Sequence, residues 1–147
     1  MSLTLYSDAN ASHSRFAICD RDGKPLWYGR FFDNDREFDG EQSSGEMAAA
    51  KKAVWLAGKI KEAIGADSLR LTLMVDAEWL CWANEALKPD WNGKTGGKAK
   101  FLAFAAKKAG VDLDVQHVRG VDNPADPWTT AAGFKKWSDN DLAALAA

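Results

Sequence analysis

The chain has 147 residues, of which 46% are hydrophobic and 27% are charged, and its formal net charge at pH 7 is −2. A domain of this length buries about two thirds of the surface of its unfolded chain, so we expect a single domain, residues 1–147, that folds without disulfides or a structural metal. Its apolar runs fall far short of the roughly 20 residues of a membrane-spanning helix, and its small net charge neither requires nor excludes a polyanionic partner.

Two features of the chain bear on its compartment. Cys19 and Cys81 each stand among core-like residues and form no recognisable disulfide framework. The N-terminus lacks the basic stretch followed by an apolar stretch that marks a secretory leader. We therefore expect a cytoplasmic protein, monomeric and without membrane contact.

Three short strands are predicted first. Leu3 to Ser7 is an apolar run of strand length. The runs Phe16 to Asp20 and Pro25 to Phe32 flank Asp22-Gly23, a strong turn dipeptide, and strands joined by so tight a turn pair antiparallel. The polar stretch from Asp33 to Ser44 predicts a solvated loop.

A long helix is predicted next. Ser43-Ser44-Gly45-Glu46 is a helix-start signal, and Gly65 is a stop signal. Between them, apolar residues recur at spacings of three and four, as on one face of a helix: Met47, Ala50, Val54, Ala57, Ile60 and Ile64.

Strands and helices alternate in the rest of the chain. The predicted elements are a buried strand from Leu71 to Val75, a helix from Ala77 to Leu87, a loop from Pro89 to Gly97, a helix from about Lys98 to Ala109, a half-exposed strand containing Val111, Leu113 and Val115, a helix beginning near Asp126-Pro127 and a last helical turn in Asp141 to Ala147. The order βββαβααβα predicts an α/β fold with a five-stranded mixed sheet. Its first three strands are antiparallel, and the strands joined through helices are parallel.

Four carboxylates stand at the ends of these elements. Asp8 and Asp76 each follow an apolar strand, Glu46 opens the long helix, and Asp126 closes Asn123-Pro124-Ala125-Asp126. Ligands of α/β folds collect at the carboxyl ends of parallel strands, where two neighbouring carboxylates repel each other unless a cation lies between them. For the pair Asp8 and Asp76 we therefore favour metal ligation.

Each acid also has a purely structural interpretation. Asp8 and Asp76 fit turn positions, because an Asp side chain accepts hydrogen bonds from nearby backbone N–H groups. Glu46 fits a capping box with Ser43, and Asp126, which precedes a proline, has the pattern of a helix N-cap. These alternatives stay open at the level of the sequence.

A set of carboxylates without a nucleophilic side chain suits hydrolysis by water. Two divalent ions activate such a water and stabilise the leaving oxygen, and hard oxygen ligands suit Mg²⁺. The histidines are two, His13 and His117, neither cysteine lies in a nucleophile motif, and Cys-x-x-Cys does not occur. This inventory argues against triad catalysis and against zinc.

The positive charge is concentrated in one segment. Six lysines and one acid, Asp90, lie between positions 88 and 108, the lysines being Lys88, Lys94, Lys98, Lys100, Lys107 and Lys108. Such a segment is a candidate phosphate-binding surface, and the alternative is that the lysines keep a glycine-rich loop solvated.

The order of elements, the four acids and the chain length together resemble ribonuclease H, from residue 3 to about residue 134. Ser7-Asp8-Ala9-Asn10 resembles the family's first-strand motif, Gly45-Glu46 followed by alanines resembles its helix-borne Glu, and Val75-Asp76-Ala77-Glu78 resembles its third motif. His117-Val118-Arg119-Gly120 with Asn123-Pro124-Ala125-Asp126 is similar to the ending of retroelement and viral members, in which Asn-x-x-Asp closes the set.

The resemblance implies a ribonuclease H-like fold and a magnesium-dependent endonuclease that cleaves the RNA strand of RNA/DNA hybrids, leaving 3′-hydroxyl and 5′-phosphate ends. By the family pattern, Asp8 bridges two Mg²⁺ ions, for which Mn²⁺ is a substitute. Glu46 and Asp76 are flanking ligands, and Asp126 belongs to the ion that positions the attacking water.

The resemblance also suggests substrate contacts. Polar residues beside the acids are the expected contacts to sugars and phosphates: Asn10, Ser12, Gln42, Ser43 and Ser44. The segment from Trp79 to Lys100 resembles the basic protrusion that grips the DNA strand, with candidates Trp82, Trp91, Lys94, Lys98 and Lys100. Trp79 and Trp82, three apart on the predicted helix, have core positions as their alternative, whereas Trp91 in the loop is the stronger contact candidate.

One position departs from the family pattern, and other functions stay open. Val121 follows Gly120 where cellular members carry a glycine-flanked His, so we expect slow turnover or a loop that works as in the retroelement type. The alternatives are a ribonuclease H-like nuclease acting on DNA and a non-catalytic nucleic-acid-binding module. An ATP-binding fold is disfavoured, because residues 9–14 contain no glycine for a phosphate loop.

Overall fold

Five strands form one mixed sheet in the computed structural model, which describes residues 1–31 and 37–146. The strands are β1 (Ser2–Asn10), β2 (Arg15–Asp20), β3 (Pro25–Arg30), β4 (Arg70–Val75) and β5 (Asp112–His117), in the order β3-β2-β1-β4-β5 across the sheet. β1, β2 and β3 pair antiparallel, whereas β4 runs parallel to both β1 and β5. The predicted α/β architecture and mixed sheet are confirmed.

The turn between β2 and β3 is the one that the sequence predicts. Gly23 has φ = 82°, a conformation that glycine adopts without steric cost. Asp20 Oδ1 accepts hydrogen bonds of 2.9 Å from the backbone N–H groups of Asp22 and Lys24. The side chain of Asp20 thereby satisfies the turn backbone and closes the hairpin.

The limits of two strands differ from the prediction. β1 continues to Asn10, so Asp8 lies inside the strand rather than after it, because β2 still pairs with this part of β1 and places Ala17 opposite Asp8. β3 ends at Arg30, short of the predicted limit at Phe32. Residue 32 lies outside the described residues, as do residues 33–36 of the predicted polar loop.

The helix α1 (Gln42–Ile64) covers one face of the sheet and makes the crossover from β3 to β4. Its buried face consists mostly of alanine and branched aliphatic residues, among them Ala48, Ala49, Ala53, Val54, Leu56, Ala57 and Ile60. Gly65, with φ = 65°, ends it as predicted. A Cβ added to Gly45 would lie 3.4 Å from the Cβ of Ala9, so the start of α1 comes close to β1 beside Asp8.

The connection between β4 and β5 contains a shorter helix than predicted. In place of one helix from Ala77 to Leu87, a 3₁₀ helix Glu78–Trp82 leads into the single turn of α2 (Ala83–Ala86). Pro89 excludes the helical conformation at the residue before it, and the Asn84 side chain is engaged by the backbone of β5 at Val115. The next helix, α3 (Lys100–Ala109), agrees with the prediction and ends at Gly110.

The prediction of a helix beginning at Asp126-Pro127 is wrong. Asp126–Thr129 forms a single 3₁₀ turn, and the chain then extends so that Lys135 pairs antiparallel with Tyr28 at the edge of β3. Extended pairing is incompatible with a continuing helix, so the last helix, α4 (Asp139–Ala146), starts later. It replaces the short turn predicted for residues 141–147, of which residue 147 is not described.

The main core lies between the sheet and helices α1 and α3. It is built on the central strands, where Leu5, Leu71 and Leu73 are fully buried, and it continues into α1 through Leu56 and Ile60. A smaller cluster on the opposite face joins Ala17 and Cys19 of β2 to Ala125, and so fixes the segment that carries Asp126. Among the described helices, none is long and apolar enough to cross a membrane.

Candidate active site

Asp8 and Asp76 lie at the carboxyl ends of two neighbouring strands, Asp8 within β1 and Asp76 directly after β4. The parallel register of β1 and β4 runs from Ser2 opposite Arg70 to Tyr6 opposite Met74. Each aspartate follows the last of these paired residues by two positions, so both carboxylates belong to one rim. This is the edge at which α/β folds collect their ligands.

Asp8 is held in a buried position among other acids. Its side chain is only 6% exposed, and one carboxylate oxygen accepts a 2.9 Å hydrogen bond from the N–H of Ala9. The Asp126 side chain lies within hydrogen-bonding reach, and Asp76 is close enough to interact with it electrostatically. Burial, then the charge of Asp76 and the contact with Asp126, raise the pKa of Asp8 to about 8.

Glu46 reaches the same place from α1. It is the fifth residue of the helix, and with Asp8 and Asp76 it lines a cavity of about 10 Å³, close to the least space that one water molecule needs. Trp79 Nε1 donates a 3.1 Å hydrogen bond to Glu46 Oε2, and Gln42 Nε2 donates one of 3.1 Å to Oε1. Both carboxylate oxygens are thereby oriented by neighbouring elements.

The capping-box interpretation of Glu46 is wrong. The N-cap of α1 is Glu41, which makes no side-chain capping bond, and the carboxylate of Glu46 is engaged elsewhere. Ser44, in the first turn of α1, binds the preceding loop instead, and its hydroxyl donates to Asp39 Oδ1 at 2.6 Å. The side chain of Glu46 is therefore available to the rim of the sheet and not to the helix terminus.

Asn123 joins the C-terminal segment to the rim. Its side chain is 3% exposed, and its Nδ2 donates to the carbonyl of Ser7 at 3.0 Å and to Asp76 Oδ2 at 3.3 Å. Its Oδ1 accepts from the N–H of Ala125 at 3.0 Å. By fixing the segment 123–125, these bonds place Asp126 beside Asp8. They give a physical reason for the spacing of three positions between Asn123 and Asp126.

The N-cap interpretation of Asp126 is also wrong. The cap position of the 3₁₀ turn is Ala125, which makes no side-chain capping bond. No α-helix follows this turn directly, because α4 begins at Asp139. Asp126 is solvent-exposed, whereas Asp8, to which it points, is buried. The carboxylate of Asp126 thus lies between Asp8 and the solvent.

We call Asp8, Glu46, Asp76 and Asp126 the acid cluster. None of its members forms an ion pair with a Lys or Arg of the described residues. Over the same parts of the chain, no three His, Cys, Asp or Glu side chains are arranged closely enough to hold a metal ion directly. No lysine or arginine of the described residues therefore compensates the cluster. The raised pKa of Asp8 means that the folded protein keeps a proton on this carboxyl group at neutral pH.

The polar residues predicted as substrate contacts surround the cluster at different distances. Gln42 touches it directly through Glu46 and also bonds the carbonyl of Ala9 at 2.7 Å. Asn10 and Ser12 bond to each other in the exposed turn after β1. The remaining two lie on the first turn of α1, facing another cavity: Ser43 and Ser44.

That second cavity, of about 360 Å³, lies between the first turns of α1 and the segment that carries Lys98. Trp79 lies in its lining, as do Ser43 and Lys98. Because Trp79 also bonds Glu46, the cavity adjoins the acid cluster. Lys98 is thus the predicted lysine that lines this cavity, whereas Lys94 is exposed on the loop and the ammonium group of Lys100 lies 5.6 Å from the ring centroid of Phe101.

Of the two tryptophans predicted as contacts, Trp82 is exposed and Trp91 is partly buried. Trp82 is 60% exposed, because its residue falls on the outer side of the 3₁₀ helix. Trp91, predicted as the exposed contact, packs against the core and against Phe104 at 5.7 Å, and its Nε1 donates to Thr95. Of the two, Trp82 is the one whose ring is open to a ligand.

Two functional contacts were missed at the level of the sequence. Trp79 was placed in the predicted protrusion or in the core, and Asn123 was noted only as part of a motif, yet both donate hydrogen bonds to members of the acid cluster. The Asn-x-x-Asp spacing was a signal for Asn123. Nothing in the local pattern around Trp79 marks its indole as a partner of a residue 33 positions away.

The two histidines lie in exposed positions near the ends of β1 and β5. His13 is exposed in the turn after β1, where its ring lies 3.3 Å from the hydroxyl of Ser12. His117 is exposed at the end of β5, opposite Val75. Among the described residues, neither histidine makes a hydrogen bond to the acid cluster.

Comparison with known proteins leaves the family open. No family model, no curated protein and no solved structure matches the chain. The function is therefore argued from the geometry of the site.

Asp8→Asn is expected to stabilise the metal-free protein at neutral pH. The ordinary pKa of 3.8 applies to the unfolded chain and a pKa of about 8 to the folded one, so the folded state retains a proton that the unfolded state releases. Between these values the contribution of Asp8 to stability falls as pH rises. Replacing the carboxyl group by an amide removes this cost and should add on the order of 1–3 kcal/mol to the free energy of unfolding, measured by urea unfolding in EDTA.

The matched control is Asp22→Asn, which removes one charge from the exposed β2–β3 turn. It should leave the unfolding free energy within about 0.5 kcal/mol of the parent value. A destabilised Asp8→Asn protein at pH 7 would contradict the interpretation of Asp8 as a buried acid whose ionisation the fold opposes.

Proposed function

We propose that this protein is a divalent-metal-dependent nuclease that hydrolyses the RNA strand of RNA/DNA hybrids. The observation that carries the proposal is the buried carboxylate of Asp8, which faces Asp76 and Asp126 without a compensating cation among the described residues. A fold does not maintain such repulsion for stability, whereas a site for multivalent cations requires it.

The donor set suits Mg²⁺, with Mn²⁺ as a substitute. All four side chains offer hard carboxylate oxygens, and three of them line a single small cavity. We assign Asp8, Glu46, Asp76 and Asp126 as the groups that would hold two ions. Since the carboxylates are not close enough to hold an ion directly, binding requires them to draw together.

When bound, the two ions would supply an activated water and charge stabilisation for the leaving 3′-oxygen, giving 3′-hydroxyl and 5′-phosphate ends. The residues of the chain supply orientation. Trp79 and Gln42 hold Glu46, Asn123 holds Asp76, and the N–H of Ala9 holds Asp8. Outer hydrogen bonds of this kind set the direction of ligand lone pairs.

The surroundings of the acid cluster favour a nucleic acid as substrate. The cavity beside it is lined by hydroxyl groups of α1 and by Lys98, together with three carboxylates of the segment 37–41. Trp82 exposes an indole on the adjoining 3₁₀ helix. Ammonium groups bind phosphates and an exposed ring stacks on bases. The ribose 2′-hydroxyl, which distinguishes RNA from DNA, is a partner for the polar groups near β1.

The topology agrees with this proposal. Three antiparallel strands followed by two parallel ones, with the order β3-β2-β1-β4-β5, are compatible with a ribonuclease H-like fold. The acid cluster combines this sheet edge with α1 and the C-terminal segment. We therefore propose that the sheet is of the ribonuclease H type, as the resemblance of the four motifs suggests.

The first test is a cleavage assay with labelled RNA/DNA hybrid, duplex DNA and duplex RNA. With Mg²⁺ the protein should cut only the RNA strand of the hybrid, and EDTA should stop the reaction. Asp8→Asn should abolish cleavage, whereas Asp22→Asn should cut at the parent rate. Cleavage of duplex DNA alone would favour the DNA-directed nuclease, and no cleavage of any substrate would favour a binding module.

A second test addresses the orientation of Glu46. Trp79→Phe removes the indole N–H but keeps an aromatic ring, so the helix should stay packed while Glu46 loses one donor. We expect cleavage to require about 10- to 100-fold more Mg²⁺, so that a high Mg²⁺ concentration partly restores the rate. The control is Trp55→Phe, which changes an exposed tryptophan of α1 that is not bonded to Glu46. An equal loss in both variants would refute a positioning role for Trp79.

A third test addresses the three lysines that are predicted to contact phosphates. Replacing Lys94, Lys98 and Lys100 by alanine should weaken hybrid binding and reduce the slope of log K against log salt by about one for each lysine that contacts a phosphate. The control removes three charges that lie outside the segment 88–108: Lys59, Lys61 and Arg70. Equal slopes in the two triple variants would contradict phosphate contacts by the loop.

A further inference from the structure

A separate cavity lies on the far edge of the sheet. It has a volume of about 460 Å³, within the usual range for small-molecule sites, and it opens between β3, α1 and the segment 133–136. No member of the acid cluster lines it. The described residues that line it include cations and aromatic rings but no Asp or Glu.

A buried guanidinium lies in the wall of this cavity. Arg15, the first residue of β2, is 8% exposed, and its Nη2 donates to the carbonyl of Gly133. Its Nε has no hydrogen-bond partner, and no carboxylate of the described residues forms an ion pair with it. A buried charge with an unused donor is costly unless an anionic acceptor completes it.

An unusually exposed aromatic ring stands at the mouth of the cavity. Phe134 is 82% exposed, and its backbone is held in place because the next residue, Lys135, pairs with Tyr28 and forms an ion pair with Asp141. A Cβ at Gly29 would lie 3.2 Å from the Cβ of Phe134, so Gly29 leaves room for the aromatic residue. A held, exposed ring is a surface on which a planar ligand stacks.

We propose that this cavity binds a nucleotide, with its phosphate on Arg15 and its base against Phe134. The phosphate gives the guanidinium of Arg15 an anionic acceptor, and the base covers the exposed ring of Phe134. The described residues of the lining contain no Asp or Glu that would repel the negative charge. Lys136, exposed at the rim, adds a second cation for the phosphate. The ligand is a free mononucleotide or the terminal nucleotide of a single strand, and the proposal does not depend on the acid cluster.

The test follows the Arg15 Nε–H resonance by ¹H–¹⁵N NMR, in EDTA so that no metal links a ligand to the acid cluster. Adenosine 5′-monophosphate should shift this resonance saturably, more tightly than either inorganic phosphate or adenosine. A 5′-phosphorylated oligothymidylate separates the two sources: tighter binding than that of the mononucleotide indicates a strand end, and weaker binding indicates a free nucleotide.

Two variants and a control sharpen the result. Phe134→Ala should weaken binding of the mononucleotide on the order of tenfold, and Arg15→Gln should abolish it. Phe101→Ala removes an exposed ring from α3 and should change nothing. If Arg15→Gln does not fold, the Phe134→Ala titration on the intact Arg15 resonance still decides. Absence of a shift, equal binding of inorganic phosphate, or no effect of Phe134→Ala would overturn the proposal.

Discussion

The repulsion between the carboxylates of Asp8, Asp76 and Asp126 is the constraint around which this structure is organised. Parallel pairing of β1 with β4 carries the first two to one rim, and the buried position of Asp8 prevents water from screening their charges. The fold tolerates this because the hydrophobic core beneath the rim, centred on the two middle strands, supplies far more free energy than the cluster costs. A strained, uncompensated site on a stable scaffold is the arrangement expected of a functional centre.

The acid cluster depends on contacts between segments that are distant in sequence. Asn123 ties the C-terminal segment to the end of β1 and to Asp76, and Trp79 ties the connection after β4 to α1 through Glu46. Each contact satisfies a polar side chain and orients a carboxylate at the same time. Orientation of this kind limits how far the acids can spread apart, so a cation would meet carboxylates that are already directed toward one another.

The sheet carries two regions of opposite charge, and β2 belongs to both. Ala17 of β2 pairs with Asp8, and two positions earlier Arg15 pairs with Asn10. The acids gather at the middle of the sheet, where parallel strands end, whereas the cations and aromatic rings gather at the edge strand β3 and the segment that pairs with it. The two regions therefore present opposite charge to a ligand.

Hydrophobic periodicity and turn residues determined the order of strands and helices, because both act over a few neighbouring positions. They were sufficient for the hairpin at Gly23, for α1 with its end at Gly65, and for two acids on adjacent parallel strands. The roles of Trp79, Trp91 and Arg15 were decided only by the tertiary structure, as was the replacement of a helix after Asp126 by an extended segment. Each of these depends on a partner that lies far away along the chain, such as Lys135 pairing with Tyr28, and local patterns contain no information about such partners.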